Sequence, residues 1–479
     1  MKKTSSTRNT ENFKDFDKQL EFIEKINSFD EFQIFLSEYL DHHVFLSKRG
    51  KKFYIDTDFH MEMDEANEIS KFVFPVDDVM YETKDLHCIS RRSDFKKNEG
   101  SKHSATFEVN SLQSQCFHSK SLFTTFFPVE LKEIKSFHGE FETIVHKRNR
   151  TTYGYDCLLV NINGVEYHIT QLKTVDNGFY VFECLQKETF ENYRKVCFSI
   201  QQAIGFINGL MVGDEEYIFD SAGNLYFSNE IRQKIRSMYN PIITNPYSYL
   251  DIDREIAKDY IDKLTSISFE NLSNLVSRIH TDEDFSTAIL VILDASYTRS
   301  LLLVPSSFAV IIELLSKNLD TDSTEVEIPI ENKALKNKII SELHTVIDNN
   351  SSTLSEAHII KLKRRLNDIN KPVSKRHLTN NEKLTRPFER LGIKLSLRDI
   401  EIIEHRNDLL HGNILMKKDN KQSDDSINLY MSYVSARLFT LISKLLLKSI
   451  GYNGYVYNQA KYLEKYMNIN TDEEYFEKI

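Results

Sequence analysis

Apolar residues open the chain at helical spacing. Leu20, Phe22, Ile23, Ile26, Phe35 and Leu36 recur on a 3.6-residue period and predict a helix across residues 16–39. From Phe53 to about Glu230 the texture changes to short runs rich in Phe, Tyr, Val, Ile and Thr, parted by turn residues, which favours strands. Residues 153–162 and 165–170 flank Asn163-Gly164, a dipeptide that tolerates the positive φ of a type I′ hairpin turn. Residues 178–185 read as a further strand, and 215–220 with 225–228 as a second hairpin across a slightly longer loop. Val196, Ile200, Ala203, Ile204 and Ile207 place one helix at about 188–210 among these strands.

Beyond the loop from Pro241 to Pro246 the pattern turns helical almost to the end. Helices are predicted over 251–266, 269–279, 285–297, 306–319, 334–348, 354–370, 396–411 and 427–450. The predicted fold class is therefore α+β, with a strand-rich domain over 1–245, its first 15 residues a tail, and an all-helical domain over 246–479. A chain of 479 residues is long enough for two such cores.

Composition narrows the setting. The chain is 41% hydrophobic and 28% charged, as folded proteins are. Its five cysteines, scattered without a C-x-x-C pair, read as free thiols of a cytoplasmic protein. The polar amino terminus has no apolar h-region, and the longest apolar runs fall short of a bilayer span, so neither export nor a membrane is expected. Asp41-His42-His43, His87-Cys88 and Cys116-x-His118 each lack a second half at zinc spacing, and no metal is expected. No phosphate-binding or nucleophile-elbow glycine motif occurs.

Charge is uneven. The net charge is −10, yet the segment from Lys361 to Arg398 carries twelve cations and three acids, a local +9. A solvated surface is the plain reading of such a run. The sharper one is a polyanion site, with Arg364, Arg365, Arg376, Arg386 and Arg390 as RNA contacts and with His377 and Phe388 available for stacking.

That run leads into Glu404-His405-Arg406-Asn407-Asp408-Leu409-Leu410-His411-Gly412. Ser396 is placed to cap the helix start with Asp399 assisting, and Gly412 suits the left-handed residue after its end. On a continuous wheel Arg406 falls among Ile402, Ile403, Leu409 and Leu410, while Glu401, His405 and Asp408 point outward. A guanidinium in an apolar face needs anionic or acceptor partners, which makes a phosphate or an interface its natural neighbour. Asn407 stands one turn before His411, where it would fix the imidazole or touch phosphate; Glu404 reads as solvated surface. The chance expectation for Arg406, Asn407, His411 and Gly412 at these offsets is on the order of one in a thousand.

Arg-Asn-x-x-x-His followed by Gly, near a helix end in a helical carboxy-terminal region, resembles the signature of the HEPN superfamily. The order of a strand-rich region and then this region is similar to the ApeA-type anti-phage defence proteins. The resemblance implies a helical bundle that homodimerises and a metal-independent, cofactor-free endoribonuclease. Its catalytic residues would be Arg406, His411 and Asn407, and its substrate RNA, tRNA included. The amino-terminal domain shows no catalytic motif of its own, and a cell cannot tolerate an unregulated ribonuclease, so that domain is expected to be a sensor or autoinhibitory part that restrains the site until a phage-derived trigger arrives. It departs from members silenced by tyrosine modification two residues after the histidine, because Asn413 occupies that place here. The competing reading is a non-catalytic module that dimerises or holds RNA, with His411 merely closing a helix end and Arg406 in an interface ion pair.

Overall fold

The computed structural model describes residues 16–30, 32–34, 44–57, 71–96, 99–148, 151–248, 252–298, 300–319, 326–327, 330–368, 373–374, 380–412, 415, 424–467 and 473–479. Its strand-rich first part is followed by helices, an α+β architecture. The opening helix α1 is Asp17–Asn27, and the strands of the large sheet are β1 (Phe32–Ile34), β2 (Val44–Arg49), β3 (Lys52–Thr57), β4 (Val73–Val76), β5 (Val79–Lys96), β6 (Glu99–Ser114), β7 (Thr124–Val129), β8 (Glu142–Arg148), β9 (Thr151–Ile162), β10 (Val165–Lys173), β11 (Gly178–Cys184), β12 (Glu216–Phe219) and β13 (Leu225–Ser228). They pair in the order β1-β2-β3-β6-β13-β12-β7-β11-β10-β9-β8, with β5 bridging β4 to β6.

Local chemistry accounts for these elements. Asn163 and Gly164 both take positive φ, 52° and 83°, so β9 and β10 close through the expected type I′ turn. The first predicted helix is shorter than its apolar spacing suggested, because the chain ends α1 at Asn27 and enters a strand at Phe32; Phe35 and Leu36 lie outside the described residues. Leu20, Ile23 and Ile26 of α1 are buried in one cluster with Val44, Phe53, Phe107 and Phe227 of the sheet. Each such burial contributes about 1.5–3 kcal/mol.

The helix α2 (Phe190–Asn208) is capped by Thr189, whose Oγ1 accepts from the Asn192 N–H, and ends at Gly209 with φ +74°. The later helices are α3 (Arg254–Tyr260), α4 (Phe269–Thr281), α5 (Glu283–Ala295), α6 (Leu303–Leu319), α7 (Lys333–Asn349), α8 (Glu356–Asp368), α9 (Asn380–Arg390), α10 (Leu397–Glu404), α11 (Arg406–Leu410) and α12 (Asp424–Ser449). By its contacts the chain forms two compact units, one of Met1–Ile311 with His405–Ile479, the other of Ile312–Glu404. In the first unit α4 packs on α2 and β9, and α5 on α2. The change of texture near residue 245 thus marks a change of secondary structure within one compact unit. No helix among the described residues is long and apolar enough to cross a membrane.

Candidate active site

The segment around the Arg-Asn-x-x-x-His motif is held by caps. Asp399 N–H donates to Ser396 Oγ at 3.1 Å, and Ser396 N–H donates to Asp399 Oδ2 at 3.0 Å, a reciprocal capping box at the start of α10. Asp399, Ile402 and Ile403 are buried. The single helix expected over 396–411 is instead two: α10 stops at Glu404, and α11 begins at Arg406.

That break changes which side chains face inward. His405 was expected to point to solvent but is only half-exposed: its Nε2 lies 2.9 Å from the hydroxyl of Tyr430 on α12, with the rings edge to face. A wheel drawn through the motif assumes 100° per residue across a position where the helix is interrupted. His405 and Tyr430 are thus residues of the site that the sequence reading missed. Tyr430 in turn stacks near Tyr433, whose hydroxyl bonds Glu473.

Glu473 belongs to a buried charge cluster. Arg437 and Lys444 on α12 reach Glu477, Arg437 also lies 3.5 Å from Glu473, and Asn458 donates to Glu473 at 2.8 Å. Arg437 and Lys444 side chains are 3% and 5% exposed, so each buried charge has an opposite partner, as burial requires. Through these pairs the last residues of the chain are fastened to α12.

On α11, Leu409 is buried and its carbonyl accepts from Ser306 Oγ at 3.0 Å, which anchors the short helix. Arg406 is half-buried, and its Nη1 donates to Asn407 Oδ1 at 2.8 Å. Asn407 and His411 are exposed. The His411 backbone N–H donates to Asn407 O at 3.1 Å, while the Asn407 side chain is engaged with Arg406. Among the described residues no side chain holds the imidazole, so the expected role of Asn407 in fixing it is replaced by an Arg406 contact. Gly412 has φ +72°, the left-handed closure foreseen for it. Glu404 is exposed and accepts from Asn381 Nδ2 at 2.8 Å.

The basic residues divide between elements. Arg364 and Arg365 are exposed on α8, Arg386 is half-buried and Arg390 exposed on α9, and Arg376, His377 and Asn413 lie outside the described residues. Phe388 is fully buried, so it packs the core and is not available for base stacking. Among the described residues no group of His, Cys, Asp and Glu could hold a metal. His118 lies 2.6 Å from Asp220, whose carboxylate also accepts from the backbone of Ala222 and Asn224 and closes the β12–β13 hairpin.

The arrangement offers an exposed imidazole, a carboxamide and a guanidinium on a little over one helical turn. Comparison with protein-family models, with characterised proteins and with solved structures returned no match.

Proposed function

We propose that this chain is an endoribonuclease whose chemistry rests on Arg406, Asn407 and His411. The observation that carries the reading is the exposed placement of Asn407 and His411 beside Arg406, with Leu409 buried as their anchor. In this mechanism the ribose 2′-oxygen attacks phosphorus and the P–O5′ bond breaks, leaving a 2′,3′-cyclic phosphate. An imidazole takes the 2′-hydroxyl proton, and an imidazolium returns a proton to the 5′-oxygen. Arg406 sets an always-charged fork against the negative phosphorane, and Asn407 aims that fork.

One His411 cannot serve as base and acid in the same turnover, so the mechanism calls for a second copy of the chain. The cations Arg364, Arg365, Arg376, Arg386 and Arg390 would hold the RNA backbone. In a cell the protein would be cytoplasmic, and the activity that of a toxin-like anti-phage effector restrained by its strand-rich part until a phage-derived trigger arrives. Cutting the chain at residue 245 would separate α4 from α2 and β9, so restraint is better tested in the intact protein. Overexpression should arrest growth and degrade cellular RNA only when the trigger is present, and His411→Ala should relieve the arrest. Arrest that persists in His411→Ala, with RNA intact, would favour the scaffold reading, to which the exposed and otherwise unheld imidazole of His411 also lends itself.

A further inference from the structure

The helices α7 and α8 carry more apolar surface than they cover. None of the 17 residues of α7 is buried, nor is any of the α8 side chains that the structure describes. On the α7 wheel Leu335, Val346, Ile339, Leu343, Ile347 and Ile340 span one continuous arc. At one edge Leu343, Ile347 and Ile340 are half-buried, in a helix that packs on α8. At the other edge Leu335 and Val346 are 49% and 56% exposed. A helix with a third of its apolar stripe in water and none of it buried has little to stabilise it beyond propensity.

We propose that a second copy of this chain covers that edge, through an antiparallel contact between the two α7 helices about a twofold axis level with Ile340 along the helix. The helix is self-complementary in this arrangement and in no parallel one. Lys338 and Glu342, equally far before and after Ile340, face each other across the axis and form two equivalent ion pairs. Leu335 comes beside Val346 to within one residue of register. Lys338 and Glu342 flank the exposed edge on the same side, and neither side chain has a hydrogen bond or ion pair among the described residues. A parallel pairing would set Lys338 against Lys338. The edge is apolar with one charge of each sign, which suits an isologous protein contact rather than a phosphate backbone.

A second copy is also what the nuclease reading calls for, but this contact is argued from α7 alone and tested by mass, so either can fail without the other. Sedimentation of the full chain at micromolar concentration should give a dimer. Leu335→Glu with Val346→Glu, both exposed in the single chain, should give a monomer with unchanged circular dichroism. Lys338→Glu and Glu342→Lys should each weaken the dimer roughly tenfold, as like charges then meet twice across the axis. The double change Lys338→Glu/Glu342→Lys should restore it. A monomeric wild type, a dimer indifferent to the two apolar changes, or a charge swap without recovery would overturn the proposal. Loss of RNA binding at unchanged mass would assign the edge to nucleic acid instead.

Discussion

The imidazole of His405 is tied to the hydroxyl of Tyr430, 2.9 Å away, at the residue where α10 gives way to α11. Arg406 follows at once, so this bond fixes the point from which the guanidinium starts. Tyr430→Phe keeps the ring and deletes the bond. The expected result is an intact fold with kcat for RNA cleavage lowered about tenfold and KM nearly unchanged, the pattern of lost positioning. An unchanged kcat would show that Arg406 is placed without Tyr430.

Asn407 accepts from Arg406, so its carbonyl matters more than its amide nitrogen. Asn407→Ala should cut kcat/KM about a hundredfold, whereas Asn407→Asp, which keeps an acceptor, should retain more of the activity. Equal losses in both variants, measured by single-turnover cleavage, would point to the amide N–H and to a direct contact with phosphate or His411.

The cations of α8 are exposed, and their contribution should be electrostatic. Reversing Arg364 and Arg365 to Glu should weaken RNA binding and reduce the slope of log K against log salt by about two if each meets one phosphate. Filter binding between low and moderate salt checks this. A parallel shift with the slope unchanged would place those side chains away from the RNA.

Much of this was legible in the chain. Asn163-Gly164 announces its turn because few residues tolerate two successive positive φ values, and Ser396 with Asp399 announces a cap by spacing alone. Helix α9 was not foreseen: it is dense in charge and contains Pro387, and its apolar anchors are only Leu384 and Phe388, four residues apart and both buried. For the same reason Phe388 passed for a stacking residue. The inward turn of His405 was hidden because periodicity cannot register a break in the helix, and the acids that answer Arg437 and Lys444 stand more than thirty residues away. The change of pattern at residue 245 signals helix but is silent on what those helices pack against, since α4 and β9 meet only through tertiary contact.

Away from the motif, Glu133 gives a pH test of the first unit. Burial pushes its carboxyl up, but Lys234, the Glu130 backbone N–H and Arg236 together hold it below its usual value of 4.5. A depressed carboxyl contributes stability above pH 4.5, and that contribution is lost as pH falls through the folded value. Glu133→Gln should therefore destabilise the protein at neutral pH, to an extent tempered by the exposure of Arg236, and almost not at all in strong acid. Denaturant melts at both extremes read this directly; a constant difference would mean that packing, not charge, is at stake.

Arg406 and His411 are proposed to cut RNA without a metal, and one assay decides it. Purified wild type, Arg406→Ala and His411→Ala, each first shown to be folded, are incubated with total RNA and a tRNA pool in EDTA, and the product ends are mapped. Wild type should yield fragments with 2′,3′-cyclic phosphate ends, and neither variant should yield any. Intact RNA with the wild type, in the presence of its trigger as well as without it, or cleavage that survives both substitutions, would contradict it.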